Sequence, residues 1–148
     1  MATPEATTYV EWYGKARHQD WQTPPELFAG FHSEFQFDLD GAASDGNGLL
    51  PSASTMETPI PWTGRRVFCN PPWSDIASFL EYAPQAELAV FLVPARTNAR
   101  WFHRALELGA RVRFFTPRPG FLRGGKRGGE RGHNSPVDCV LLVFGREG

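Results

Sequence analysis

The four residues Asn70-Pro71-Pro72-Trp73 close the apolar stretch Arg65-Arg66-Val67-Phe68-Cys69 and carry the densest chemistry in the chain. A strand that stops there leaves one side-chain amide and two fixed carbonyls at a sheet edge. Each proline locks φ at about −65° and has no N–H, so the turn neither extends the strand nor starts a helix. An amino group on a planar ring could donate its hydrogens to the Asn70 side-chain oxygen and the Pro71 carbonyl. Accepting both draws the nitrogen lone pair out of conjugation and towards an electrophile. The Trp73 indole offers a flat face on which that ring could stack. These residue types suit methylation of an exocyclic amine. An ordinary proline turn with Trp73 as a core anchor would leave the same four letters, but after a hydrophobic strand the tetrapeptide favours the methyltransferase.

Such chemistry needs a methyl donor. S-adenosylmethionine brings a sulfonium, an ammonium, a carboxylate and an adenosine. An acidic residue at a strand end can meet an ammonium or ribose, and small residues after it permit close backbone approach. Asp40, followed by Gly41-Ala42-Ala43, fits that need. Thr23, ahead of Pro24-Pro25-Glu26, offers a hydroxyl and the N–H groups of a helix start to a carboxylate.

The elements that must position these groups follow from periodicity. Thr23 is the expected N-cap of a helix with prolines in its first turn and Leu27, Phe28, Phe31 and Phe35 at helical spacing. Residues 35–40 alternate with period two and read as a strand running into a small-residue loop at 41–48. Residues 49–64 are irregular. Residues 65–70 form the strand before the tetrapeptide. Ser74 is the expected cap of a helix with Ile76, Phe79, Leu80 and Ala83 on one face, ended by Pro84. Residues 88–93 are continuously apolar, as in a strand buried on both faces. A helix is expected over 98–108, presenting Trp101, Phe102, Ala105 and Leu106, then strands over 112–115 and 137–144. The Gly- and Arg-rich stretch 117–136 between those strands is too long for a plain hairpin turn. Strands alternating with helices, closed by two strands in succession, predict an α/β fold. It would be a mostly parallel open sheet with an antiparallel edge strand and flanking helices. The strand ends at Asp40-Gly41, Asn70-Pro71 and Pro94-Ala95-Arg96 should then share one rim, where ligands of such sheets bind.

The 148 residues suit one domain, read as a flexible N-terminal arm over 1–20 and a single catalytic domain over 21–148. No apolar run is long enough for a membrane span, and no signal peptide opens the chain. Cys69 and Cys139 lie in apolar strands without metal-ligand spacing, as reduced core thiols of a cytoplasmic protein would. The net charge of −1 conceals an asymmetry. Nine acidic side chains in residues 1–57 face only Lys15 and Arg17, whereas residues 96–131 hold ten basic ones against Glu107 and Glu130. One end suits a cation and the other a polyanion. Candidate phosphate contacts are Arg96, Arg100 and Arg104 near the rim, and Arg118, Arg123, Lys126, Arg127 and Arg131 in the long loop.

Taken together, Trp21-Gln22-Thr23-Pro24-Pro25-Glu26, Phe37-Asp38-Leu39-Asp40-Gly41-Ala42-Ala43 and Phe68-Cys69-Asn70-Pro71-Pro72-Trp73-Ser74 resemble the phage-type, Dam-like DNA N6-adenine methyltransferases. Leu92-Val93-Pro94-Ala95-Arg96-Thr97-Asn98 and the closing apolar strand extend the resemblance over roughly residues 20 to 145. It implies a minimal class I, Rossmann-like methyltransferase fold, S-adenosylmethionine as donor, and adenine in DNA as target. The DNA would be a duplex with the adenine flipped out, or a single strand. The resemblance also implies a phage or prophage gene acting in a bacterial cytoplasm. Asn70, Pro71, Pro72 and Trp73 fall on the family's catalytic tetrapeptide, which usually ends in Tyr or Phe. Thr23, Pro24, Asp40, Gly41 and Ala42 fall on cofactor positions. Cytosine N4, RNA adenine or a protein glutamine amide are alternative targets of the same chemistry, and a DNA-binding member without catalysis is a further alternative. Only 29 residues separate Asp40 from Asn70, too few for the two βα units that a full class I fold inserts there. Glu57 is the candidate for the acidic residue that grips the ribose. With no length left for a recognition domain, the protein would either form a homo-oligomer or act with relaxed specificity.

Overall fold

The computed structural model describes residues 23–43, 49–115, 122–123, 126–127 and 138–147. The arm at 1–20 and the loop positions Arg118 and Arg131 lie outside the described residues. The elements run α1 (Pro25–Phe35), β1 (Leu39–Asp40), β2 (Arg66–Cys69), α2 (Ile76–Leu80), a 3₁₀ turn (Ala83–Gln85) and β3 (Leu88–Pro94). After these come α3 (Arg100–Glu107), β4 (Arg111–Arg113), β5 (Leu122–Arg123), β6 (Lys126–Arg127) and β7 (Cys139–Gly145).

Five strands form one open sheet in the order β1-β2-β3-β7-β4, and β5 pairs with β6 in a separate two-stranded ribbon. The β1–β2 and β2–β3 pairs are parallel, while β7 is antiparallel to both β3 and β4. The expected α/β sheet with flanking helices is therefore present. The reversed strand lies one place in from the edge, and the edge strand β4 is antiparallel to its neighbour.

Alternation along the strands divides the core into two clusters, one per face. Val67, Cys69, Phe91, Val93, Val140 and Leu142 face α2 and α3, where Ile76, Leu80, Phe102 and Ala105 complete the packing. Phe68, Val90, Leu92, Leu141 and Val143 face α1 through Phe28 and Phe35. β3 is buried along its whole length, as its unbroken apolar sequence requires.

Three boundaries differ from expectation. Pro24, not Thr23, is the N-cap of α1, with φ −58° and ψ 136°. A residue before proline is pushed out of the α region, so Pro24 stays extended and Pro25 becomes the first helical residue. Phe35 ends α1 rather than opening a strand, since Gln36 turns left-handed at φ 56°. Only Leu39–Asp40 pair as β1, although Phe35, Phe37 and Leu39 are buried and Glu34, Gln36 and Asp38 exposed, as the alternation implies. Asp75, not Ser74, precedes α2, and its carboxylate accepts from the Ser78 hydroxyl at 2.7 Å.

The amino ends of the strands are tied by arginines. The Arg66 guanidinium donates to the carbonyls of Phe35 at 2.6 Å and Gln36 at 3.2 Å, closing the carboxyl end of α1. It also pairs with Glu87 at 2.8 Å. Arg65 pairs with Asp38, and Arg111 with Glu147, each at 3.0 Å.

Candidate active site at the carboxyl rim

Because β1, β2 and β3 are parallel, Asp40-Gly41, Asn70-Pro71 and Pro94-Ala95-Arg96 emerge on one rim, as expected. α1 begins at the same rim. The Asn70 amide donates from Nδ2 to the Thr23 hydroxyl at 3.1 Å, joining positions 47 residues apart. With Nδ2 committed to Thr23, Oδ1 takes the opposite side of the amide as an acceptor. The buried Thr23 hydroxyl, the expected ligand of a donor carboxylate, accepts from Asn70 and still has its own hydrogen to donate.

Pro71 is buried and Pro72 half-buried, so the turn after Asn70 is fixed by packing as well as by its rings. Trp73 is half-buried and packs against both core clusters. The indole is thus anchored between the two faces of the sheet while part of its surface stays open. Core anchor and stacking face are compatible in one side chain.

Among the described residues, the buried polar or charged ones are Thr23, Asp40 and Ser54. Asp40 is 4% exposed. Its carboxylate accepts from the backbone N–H of Ala42 at 3.2 Å and of Leu49 at 3.0 Å. Burial pushes its pKa above the ordinary value, and the Leu49 and Ala42 hydrogen bonds pull the other way. Asp40 therefore clasps both ends of the small-residue loop. Burial, reinforced by the Asp40 charge, pushes the neighbouring Cys69 thiol well up, which keeps it protonated and inert.

Gly41 has a reason the sequence did not disclose. A Cβ there would lie 2.6 Å from the Trp62 ring and 2.8 Å from Val67. Trp62, 3% exposed and packed on Tyr82 and Phe91, fills that space from inside the fold. The position is small because an indole approaches it from within. Trp62 was missed because residues 49–64 have no periodicity, and its one local signal is the turn at Thr63-Gly64, where Gly64 takes φ 69°.

Residues 52–54 run beside β1. Asp40 N–H donates to the Ser52 carbonyl at 3.0 Å, Ser54 N–H to the Asp40 carbonyl at 2.8 Å, and a parallel bridge joins Asp40 to Ala53. This single bridge occupies the side of β1 where a further parallel strand would pair. Beyond it a turn closes through Thr55 and Thr58, whose hydroxyls lie 2.8 Å apart, with Ile60 N–H donating to the Ser54 hydroxyl at 2.8 Å. Glu57 sits exposed at the tip of that turn. The shortened middle segment thus keeps one bridge and an acidic tip on the Asp40 side of the rim.

The basic candidates separate into two groups. Arg96 is exposed just after β3, and Arg100 is exposed at the first position of α3. Arg104, one turn further on, is engaged by Glu81 through Nε and a terminal nitrogen, each at 3.0 Å. The hydrogen bond from Arg104 holds the Glu81 carboxyl below its ordinary value and raises the guanidinium. Arg104 is thus a poor phosphate contact. Arg123, Lys126 and Arg127 lie on the β5–β6 ribbon, paired Leu122 to Arg127 and Arg123 to Lys126.

No helix among the described residues is long and apolar enough to cross a membrane. A comparison with curated proteins gives no match. The family model for DNA N-6-adenine-methyltransferase (Dam) matches residues 13–147, a span that includes the Thr23–Asn70 link, the Asp40 loop and the basic ribbon. The chain belongs to the DNA N-6-adenine-methyltransferase (Dam) family.

Proposed function

We propose that the protein transfers a methyl group from S-adenosylmethionine to the N6 amino group of adenine in DNA, with Asn70, Pro71, Pro72 and Trp73 as the reacting turn. The observation that carries this reading is the Asn70–Thr23 hydrogen bond at 3.1 Å, which fixes the orientation of an amide at the end of a buried strand. Asn70 Oδ1 and the Pro71 carbonyl accept the two amine hydrogens, and the adenine ring stacks on Trp73. The nitrogen lone pair would then point at the methyl carbon. As the N–C bond formed the S–C bond would break, its electron pair leaving with the sulfur of S-adenosylhomocysteine, and the surplus amine proton would pass to water. Catalysis comes from orientation and from acceptors already in place before the charge develops.

When bound, S-adenosylmethionine supplies an electrophilic methyl group on sulfur. The Asp40-Gly41-Ala42 loop, held shut by the Asp40 carboxylate, presents backbone to it, and the Glu57 carboxylate serves the ribose hydroxyls. The fit rests on the rim itself. Asp40 spends two acceptor sites on Ala42 and Leu49, and a carboxylate offers about four. Thr23 and Pro24, beside Asn70, close the donor site at the start of α1.

Adenine inside a duplex must be flipped out or presented on a single strand. Arg96 and Arg100, with Arg123, Lys126, Arg127 and Arg131 of the long loop, take the phosphates. Neutralising those four loop residues should lower the slope of log affinity against log salt by about 0.9 per lost contact, with cofactor affinity unchanged. An unchanged slope would leave the DNA to Arg96 and Arg100.

The deciding experiment supplies labelled methyl donor to DNA, RNA and protein acceptors and identifies the labelled product. Label in N6-methyladenine from DNA supports the reading. Label in N4-methylcytosine, RNA or glutamine alone would redirect it, and no label together with no donor binding would leave only DNA binding.

A further inference from the structure

The rim continues past β3 to β7 and β4, and there it carries an aromatic that the core does not use. Phe114, the first residue after β4, is 79% exposed. Its neighbour Phe115 turns inward, packs with the α1-side cluster and meets Phe31 edge to face at 5.4 Å. An open groove of about 320 Å³, lined in part by Phe31, Phe114 and Phe115, lies beside them. The register sets this end of β4 at the reaction rim. Arg113 pairs with Leu141, so Phe114 and Phe115 reach the levels of Val140 and Cys139, which pair with Val93 and Pro94 at the end of β3. β4 lies three strand positions from β2, roughly 14 Å at the usual strand spacing. That span corresponds to a few nucleotides along a strand, at about 3.4 Å each. Arg96 and Arg100 are exposed on the stretch after β3, between the Asn70 end and the Phe114 end.

We propose that Phe114 is a stacking platform for a base of the DNA strand flanking the target adenine; this rests on the adenine-methyltransferase reading above. A phenyl ring left in water forfeits the gain of burial, and a nucleobase π-face recovers it. Stacking of this kind is tolerant of sequence, because every base has such a face. The groove beside Phe114 receives the base edge, while Arg96 and Arg100 hold the intervening phosphates. The occupant is a nucleobase rather than a second copy of the chain through the β4 edge. That edge is three residues long and carries Arg111 and Arg113, features that discourage edge pairing.

The test compares binding of a single-stranded oligothymidylate with that of an abasic strand of equal length and charge. Neither offers an adenine, so the comparison does not depend on turnover. Wild type should bind the base-bearing strand about tenfold more tightly, the order expected for one stacked base. Phe114→Ala should lose that preference, bind the abasic strand as wild type does, and keep the wild-type Tm because the ring is exposed. Phe114→Trp should retain the preference. Phe114→Ala binding both strands as wild type, or weakened equally on both, would overturn the proposal. Failure of wild type to methylate adenine DNA would instead count against the underlying reading, in a separate assay.

Discussion

At the amino ends of the strands, charged side chains are spent on one another and on backbone carbonyls. At the carboxyl ends, polar side chains are buried and aimed. Arg65, Arg66 and Arg111 pair with Asp38, Glu87 and Glu147, and Arg66 also closes the last turn of α1. Gly145 at φ 84° packs so closely on the Glu87 carbonyl that a Cβ there would stand 2.2 Å from it. The opposite rim holds Thr23, Asp40 and Ser54, each nearly without solvent, with Asn70 oriented by Thr23. One rim secures the sheet and the other holds groups in fixed directions. The same residue type follows the same division: Arg66 is consumed by the fold, while Arg100 is exposed at the head of α3.

Variants that separate the rims sharpen this contrast. Asn70→Ala should lower turnover by about 10² to 10³ with saturating donor, the usual cost of losing one preorganised contact to the transition state. Donor affinity by calorimetry should stay near wild type. Arg66→Ala should act on stability instead, by about 2 kcal/mol, because the carbonyls of Phe35 and Gln36 lose a charged donor. Its exposed pairing with Glu87 adds little. A chemical denaturation midpoint equal to wild type would break the assigned role.

Thr23→Val keeps the shape of a buried side chain and removes the acceptor for Asn70 Nδ2. The expected loss is about tenfold in turnover, close to one hydrogen bond, with donor affinity changed less than turnover. The reverse split would make donor binding, rather than support of Asn70, the main role of Thr23. The smallest effect concerns Asp40, whose folded pKa is raised above 3.8 by burial. A raised carboxyl contributes stability that is complete below 3.8 and is lost as pH climbs through the folded value. Asp40→Asn cannot ionise, so the Tm advantage of wild type over this variant should shrink as pH rises from 3.8. An advantage that grew with pH would mean that the two backbone donors outweigh burial.

Much of this was legible in the sequence where one residue type has one physical use. Asn-Pro-Pro after an apolar run marks a strand end, and the unbroken apolar run 88–93 marks a strand covered on both faces. The common rim followed from parallel order alone. What the sequence withheld were contacts set by tertiary packing. Thr23 precedes a double proline, so its hydroxyl was left for Asn70 instead of capping α1. Gly41 suits a ligand approach by sequence, and the structure adds a second reason for glycine there, the close approach of Trp62. Arg104 had the same helical pattern as Arg100, yet Glu81 on the neighbouring helix end takes it. The single bridge at Ala53 left no period in residues 49–64, so the turn presenting Glu57 had no signal beyond its two threonines.

The most direct test of the division between rims is a crossed measurement of Asn70→Ala and Arg66→Ala. Methyl transfer to adenine in DNA and thermal unfolding are recorded on the same preparations. Asn70→Ala should lose turnover by at least about 10² while holding its Tm within about 2 °C. Arg66→Ala should drop in Tm by roughly 4–8 °C while retaining most of its turnover at temperatures where it stays folded. Near-normal methylation by Asn70→Ala, or a joint loss of turnover and Tm in both variants, would contradict the assignment of chemistry to the carboxyl rim.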